Sequence, residues 1–264
     1  MSHELGTPCL RLEPEGSVAW CTIDRPGARN ALTPAMYYGL KRAVRLVNAD
    51  SELAALVITG VGDVFSPGGD LGGRSEPGES VPDAIGADVL PFLAIRDSSA
   101  PVIAAVNGIC QAGGLLIAMM ADIAVASDRA TFRVPELLRG ITDATYAAAL
   151  PAHVGIAVAR DLLFSARRFG AEEAQQMGLI SRVVPHDELR AAARAAAHQV
   201  LRTAPAAREQ VKRMLNERYG LVDYQTMFWD LEHSPEPREG MRAFMEKRPP
   251  SWIPSDVPSE DRGK

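Results

Sequence analysis

Phe65-Ser66-Pro67-Gly68-Gly69-Asp70-Leu71 and Asn107-Gly108-Ile109-Cys110-Gln111-Ala112-Gly113-Gly114-Leu115-Leu116 are the stretches that decide how this chain folds. Each follows an apolar run with the look of a strand, Leu56 to Thr59 before the first and Pro101 to Val106 before the second. Glycine at a strand end leaves backbone N–H groups open to close approach by a ligand. Two such N–H groups converging on one oxygen make an oxyanion hole, which stabilises negative charge developing on a carbonyl.

Working outward, Val18 to Ile23 has strand character and ends at the turn signal Asp24-Arg25-Pro26-Gly27. Thr33-Pro34 then offers an N-cap with proline at the first helical position. Met36, Leu40, Ala43, Val44 and Val47 follow at helical spacing. The opening is therefore expected to run strand, helix, strand. Gly72 to Ser80 is polar and glycine-rich, with the composition of a mobile loop, and Pro82 to Ile95 has helical character.

Gly113 to Met120 predicts a short buried helix opening on the glycines. Asp122 to Ala126 and Ala130 to Phe132 predict two more strands, so strand and helix alternate and imply an α/β fold with parallel pairing. Beyond Thr142 the chain is helical: Ala144 to Leu150, Ile156 to Phe164, Ala171 to Met177, Glu188 to Leu201, Ala204 to Glu217, Val222 to His233 and Arg238 to Glu246. Val183-Val184 is the one late strand candidate.

The 264 residues are 47% hydrophobic and 23% charged, the composition of an ordinary globular protein. A net charge of −5 argues against nucleic acid as a partner. Cys9, Cys21 and Cys110 are odd in number and far apart, which fits reduced thiols in the cytoplasm better than disulfides. The first residues lack a basic segment followed by an apolar run, and no stretch has the length of a membrane span. A cytoplasmic, membrane-free protein is expected. His3, His186, His198 and His233 have no partners at ligand spacing, so no metal is expected.

Glu136, in Pro135-Glu136, follows the strand expected at 130–132. A carboxylate there can act as a general acid or base, or it can simply complement a helix start. Asp143 has the same ambiguity, because aspartate is a common N-cap and a helix is expected from Ala144.

Asp24 to Leu32 (DRPGARNAL), FSPGGDL, PVIAAVNG, ADIAVAS, PELLRG, SARRFGAEEAQQMGLISRVVP and EGMRAFMEKRPPSW occur in this order. Together they resemble the enoyl-CoA hydratase/isomerase, or crotonase, family over roughly residues 10 to 252. The resemblance implies an α/β spiral of ββα units followed by a helical trimerisation region. Residues 1–195 would form the acyl-CoA-binding core and 196–264 the oligomerisation region of a homotrimer or homohexamer. The ligand would be an acyl-CoA thioester; coenzyme A is then part of the substrate, and no separate cofactor is implied. By position, Gly69 and Gly113 would supply the oxyanion N–H groups. Arg29, Ala31, Gly68 and Asp70 would line the coenzyme A site, and Phe244 and Lys247 would close over it, often from a neighbouring subunit.

Hydratases similar to this chain carry two glutamates around the water they add. One corresponds to Glu136, but the other position, three residues past Gly113, is Leu116, which would line the acyl site. Leucine neither moves a proton nor holds a water. Losing one acid–base group should cost hydration ~10²–10⁴-fold, whereas a single glutamate suffices for double-bond isomerisation in relatives of this kind. Isomerisation through Glu136 is therefore the expected reaction. Hydration of a 2-enoyl-CoA, dienoyl-CoA isomerisation using Glu136 with Asp143, and non-catalytic acyl-CoA binding are the alternatives. Asp143 matches the aspartate of the dienoyl enzymes, on a loop one residue shorter. Ala112 replaces a glycine usual in the second turn.

Overall fold

Both faces of the central strands are apolar, so the sheet they form has to be covered on both sides. In the computed structural model, which describes residues 5–73, 75–80, 89–219 and 225–253, the strands are β1 (Leu10–Glu15), β2 (Val18–Ile23), β3 (Ala55–Gly60), β4 (Val64–Ser66), β5 (Val102–Val106), β6 (Ile109–Gln111), β7 (Ile123–Ser127), β8 (Thr131–Arg133), β9 (Phe169–Gly170) and β10 (Arg182–Val184). The helices are α1 (Pro34–Ala49), α2 (Phe92–Arg96), α3 (Gly113–Met120), α4 (Ala144–Val154), α5 (Ile156–Ser165), α6 (Ala171–Gln176), α7 (Leu189–Leu201), α8 (Pro205–Tyr219), α9 (Gln225–His233) and α10 (Pro235–Met245).

The strands form a six-stranded sheet in the order β1-β2-β3-β5-β7-β10 and a four-stranded sheet in the order β4-β6-β8-β9. Only the β1–β2 and β8–β9 pairings are antiparallel. Each long strand β3, β5 and β7 is followed by a short one in the second sheet, so the chain climbs through successive ββα turns. Parallel register keeps like faces together: Trp20 pairs with Val57, and Val57 with Ile103. One face packs on α7 through Leu189, Ala193, Ala196 and Ala197. The opposite face, with Cys21, Leu56, Ile58 and Ala104, joins α1 and α3 in the larger core.

The alternation of strand and helix stands, and four strands add to it. The opening is a hairpin, β1 with β2, rather than a lone strand. β4, β6 and β9 are two or three residues long, too short for a periodic signal. Thr33 caps α1 as expected, its hydroxyl accepting the Met36 N–H at 3.2 Å. The helix expected from Arg238 starts earlier, at Pro235. α7 runs unbroken through residue 195 and packs on the sheet. Residues 82–88 and 222–224 of two expected helices lie outside the described residues.

In the polar stretch expected as a loop over Gly72 to Ser80, two carboxylates are tied to the core. Glu79 accepts hydrogen bonds from the Thr7 and Thr33 hydroxyls at 2.9 and 2.6 Å, and Glu76 pairs with Arg25 at 2.7 Å. No described helix is long and apolar enough to cross a membrane.

Candidate active site

The two glycine turns touch. A Cβ on Gly68 would lie 2.5 Å from the Ala112 Cβ and 3.0 Å from the Gly113 nitrogen. Gly68 itself sits at φ +96°, which only glycine adopts without strain. Leu32 clips the first turn in place: its N–H donates to the Gly68 carbonyl and its own carbonyl accepts the Asp70 N–H, both at 2.8 Å. Pairing with the residues on either side leaves the Gly69 N–H facing away from Leu32. Gly113 is the first residue of α3, so its N–H is one of the donors with no partner inside the helix, at the positive end of the dipole.

Ala112 precedes Gly113 at φ +49° and ψ −132°, a conformation that costs a residue with a Cβ ~1–3 kcal/mol. Its surroundings hold it there. The Ala112 N–H donates to the Arg133 carbonyl at 3.3 Å, and its carbonyl accepts the Leu116 N–H at 3.1 Å and the Tyr146 hydroxyl at 2.7 Å. The backbone strain at Ala112 is thus held in part by Tyr146.

Glu136 opens a one-turn 3-10 helix, Glu136–Arg139, just past β8. It is buried, and its Oε2 has no hydrogen-bond partner among the described residues. Burial, reinforced by the charge of Asp143, pushes its carboxyl up to about 8. Asp143 is both things the sequence allows. It caps α4, its Oδ1 accepting the Tyr146 N–H at 3.1 Å, and it interacts electrostatically with Glu136. Burial raises its own pKa as well. Tyr146 links this corner to the second glycine turn through Ala112. Leu116 is buried in the larger core on α3 and brings only apolar surface.

Two residues escaped the sequence reading. Tyr37 on α1 points its phenol at the glycines: a Cβ on Gly113 would run into the Tyr37 hydroxyl, and one on Gly69 would lie 3.6 Å from it. Arg25, read only as part of a turn, is a buried anchor. It pairs with Asp70 at 2.6 Å and Glu76 at 2.7 Å and donates to the Ala31 carbonyl at 3.0 Å. Although burial opposes its charge, these bonds hold its pKa above the usual guanidinium value. Asp70 and Ala31, expected to line the coenzyme A site, are therefore held in place by one guanidinium. Arg29 is exposed, in the left-handed conformation at φ +52°. Beside it Asn30, also left-handed at φ +59°, accepts the Arg25 N–H and donates to the Val64 carbonyl at 2.6 Å.

The other two expected residues sit on the C-terminal helix. Phe244, half exposed, lies under the Arg139 guanidinium at 4.9 Å, a cation–π contact. Gly140 and Gly240 bring α10 and the Glu136–Arg139 turn so close that a Cβ on either would strike the other element's backbone. Within one chain, then, Phe244 packs on the turn that carries Glu136, and Lys247 is exposed just beyond α10. A separate cleft of about 440 Å³ opens between Met119 and Met120 of α3 and Lys212 and Leu215 of α8. Neither the glycine turns nor Glu136 lines it.

Comparison with known proteins bears on the family and the fold. The family model for enoyl-CoA hydratase/isomerase matches residues 13–254. A carnitinyl-CoA dehydratase of Salmonella enteritidis is 36% identical over 257 residues, covering 92% of this chain and 97% of that protein. A probable mitochondrial enoyl-CoA hydratase of Dictyostelium discoideum is 32% identical over 248 residues, 91% of this chain and 89% of that protein. Among solved structures, an enoyl-CoA hydratase/isomerase from Pseudoalteromonas atlantica T6c superposes with a TM-score of 0.80 at 32% identity, covering 93% of this chain and 100% of that one. The ββα spiral is accordingly the crotonase fold, and this chain belongs to the enoyl-CoA hydratase/isomerase family.

Proposed function

We propose that this enzyme moves a double bond within an enoyl-CoA thioester, with Glu136 carrying the proton. The Glu136 carboxylate takes a C2 proton from a 3-enoyl thioester. The electron pair spreads onto the thioester oxygen as a dienolate, held by the Gly69 and Gly113 N–H groups. The Glu136 carboxylic acid returns the proton to C4, and the product is the conjugated 2-enoyl thioester. The observation that carries this reading is the buried Glu136, with one oxygen unpartnered among the described residues and its pKa raised to about 8, in a chain whose residue 116 is a leucine. A base poised near the working pH is suited to both halves of such a transfer.

Arg29, Ala31, Gly68, Asp70, Phe244 and Lys247 are proposed to border the coenzyme A moiety, with Arg29 and Lys247 offering charge to its phosphates. Assembly as a homotrimer or homohexamer through the C-terminal helices is part of the same proposal. It is supported by α8, which has no buried residue and exposes Val211, Met214 and Leu215. A cytoplasmic location is proposed from Cys9, Cys21 and Cys110, all free and buried.

A second reading, hydration or dehydration, is favoured by the names of the relatives and by Asp143, which supplies a second carboxylate beside Glu136. The two separate in one assay. Purified protein is given 3-enoyl-CoA and, in parallel, 2-enoyl-CoA, and the conjugated thioester is followed by its ultraviolet absorbance. Isomerisation predicts a fast rise with the first and little loss with the second. Faster loss of the 2-enoyl ester than formation from the 3-enoyl ester would replace isomerase by hydratase.

A further inference from the structure

The Tyr37 hydroxyl lies where the two glycine turns meet. It would collide with any side chain at Gly113 and would lie 3.6 Å from a Cβ at Gly69. The absence of a side chain at 113 therefore serves two ends: it exposes an N–H, and it makes room for this phenol. The ring is held firmly. Its edge meets Phe92 in a T-shaped contact at 6.1 Å, and its residue sits in the first turn of α1, the Tyr37 N–H donating to the Thr33 carbonyl at 3.0 Å. Its hydroxyl donates to no acceptor among the described residues.

We propose that Tyr37 is a third donor to the thioester oxygen, adding a side-chain O–H to the backbone N–H groups of Gly69 and Gly113. The inference rests on the acyl-CoA reading above. It explains why a phenol, rather than one more aliphatic side chain, stands among Met36, Leu40 and the core of α1. Burial first, and then the charges of Glu136 and Asp143, raise the Tyr37 pKa, so the phenol stays protonated and acts as a donor, not as a base. A donor fixed before the substrate arrives stabilises enolate charge without reorganising.

Tyr37→Phe keeps the ring and its contact with Phe92 and deletes only the donor. The probe is butyryl-CoA labelled with ¹³C at the thioester carbonyl, which binds without an alkene to isomerise. Its infrared carbonyl stretch is compared free, on the wild-type protein and on the variant. The expected result is a band lowered on the wild type and lowered less on Tyr37→Phe, with affinity for the ester little changed. Turnover of 3-enoyl-CoA should fall about 10²-fold in kcat, the loss typical of one oxyanion donor. Replacing Tyr37 by 3-fluorotyrosine, a more acidic phenol, should lower the band further, and this holds the test open if the phenylalanine variant does not fold. An identical band on wild type and Tyr37→Phe would overturn the role of Tyr37 alone. A band unshifted even on the wild type would overturn the two-glycine oxyanion hole beneath it as well.

Discussion

Asp143 accepts the Tyr146 N–H at 3.1 Å to cap α4, and its charge adds to the burial that raises the proton affinity of Glu136. One carboxylate thus helps build the helix and tunes the neighbouring acid. Asp143→Asn separates the two jobs, since asparagine caps as well as aspartate but carries no charge. The pH profile of kcat/KM should shift to lower pH in this variant, because Glu136 then ionises more readily. An unmoved profile would leave Asp143 as a cap alone. Asp143→Ala should additionally lose ~1 kcal/mol of stability with the cap.

The raised pKa of Glu136 is also a statement about stability. In the folded chain this carboxyl holds its proton up to about pH 8, whereas unfolded it releases it near 4.5. The folded state therefore binds more protons in this interval, and stability falls as pH rises through it. The contribution is complete below the unfolded pKa and is lost on passing the folded one. Denaturant titrations from pH 5 to pH 8.5 should show wild-type stability declining, and Glu136→Gln should flatten the decline. Parallel curves for the two proteins would contradict the buried, protonated carboxyl.

Ala112 holds a glycine-like backbone at the mouth of α3. Strain of ~1–3 kcal/mol exceeds the ~0.5–1 kcal/mol entropic cost of glycine. Ala112→Gly should therefore stabilise the protein by about 1 kcal/mol, read as a rise in Tm. A lowered Tm would mean that the methyl group contributes more by packing than it costs in conformation.

Arg25 makes the opposite case. It is 4% exposed and holds Asp70, Glu76 and the Ala31 carbonyl at once. Arg25→Ala breaks the buried pair with Asp70 and the pair with Glu76 and should cost ~3–5 kcal/mol. Calorimetry measures this directly, and a change below about 1 kcal/mol, the worth of a surface pair, would show that the network is solvent-screened.

The long elements were legible because their patterns span many residues. β2, β3, β5, α1 and α3 all declare themselves by apolar runs, a Thr-Pro cap or paired glycines. The three-residue strands β4 and β6 did not, because so short a stretch has no measurable period. The second sheet they build was visible only through the family resemblance. At the site, Gly69, Gly113 and Glu136 carry chemical signatures of their own. Tyr37 carries none, since an aromatic residue at helical spacing reads as core, and only the nearness of Gly113 reveals its hydroxyl. Arg25 stood in plain view beside a Pro-Gly turn, but its partners Asp70 and Glu76 are far along the chain. Its one local hint was Asn30, a residue type that tolerates the left-handed conformation the anchor requires.

The central claim is that Glu136 moves the proton. Glu136→Gln keeps the shape of the side chain and removes the base. Its kcat on 3-enoyl-CoA, measured beside its affinity for butyryl-CoA, is the most direct test. Proton transfer by Glu136 predicts a loss of at least ~10²-fold in kcat with the affinity retained. A Glu136→Gln enzyme that isomerises 3-enoyl-CoA at the wild-type rate would contradict it.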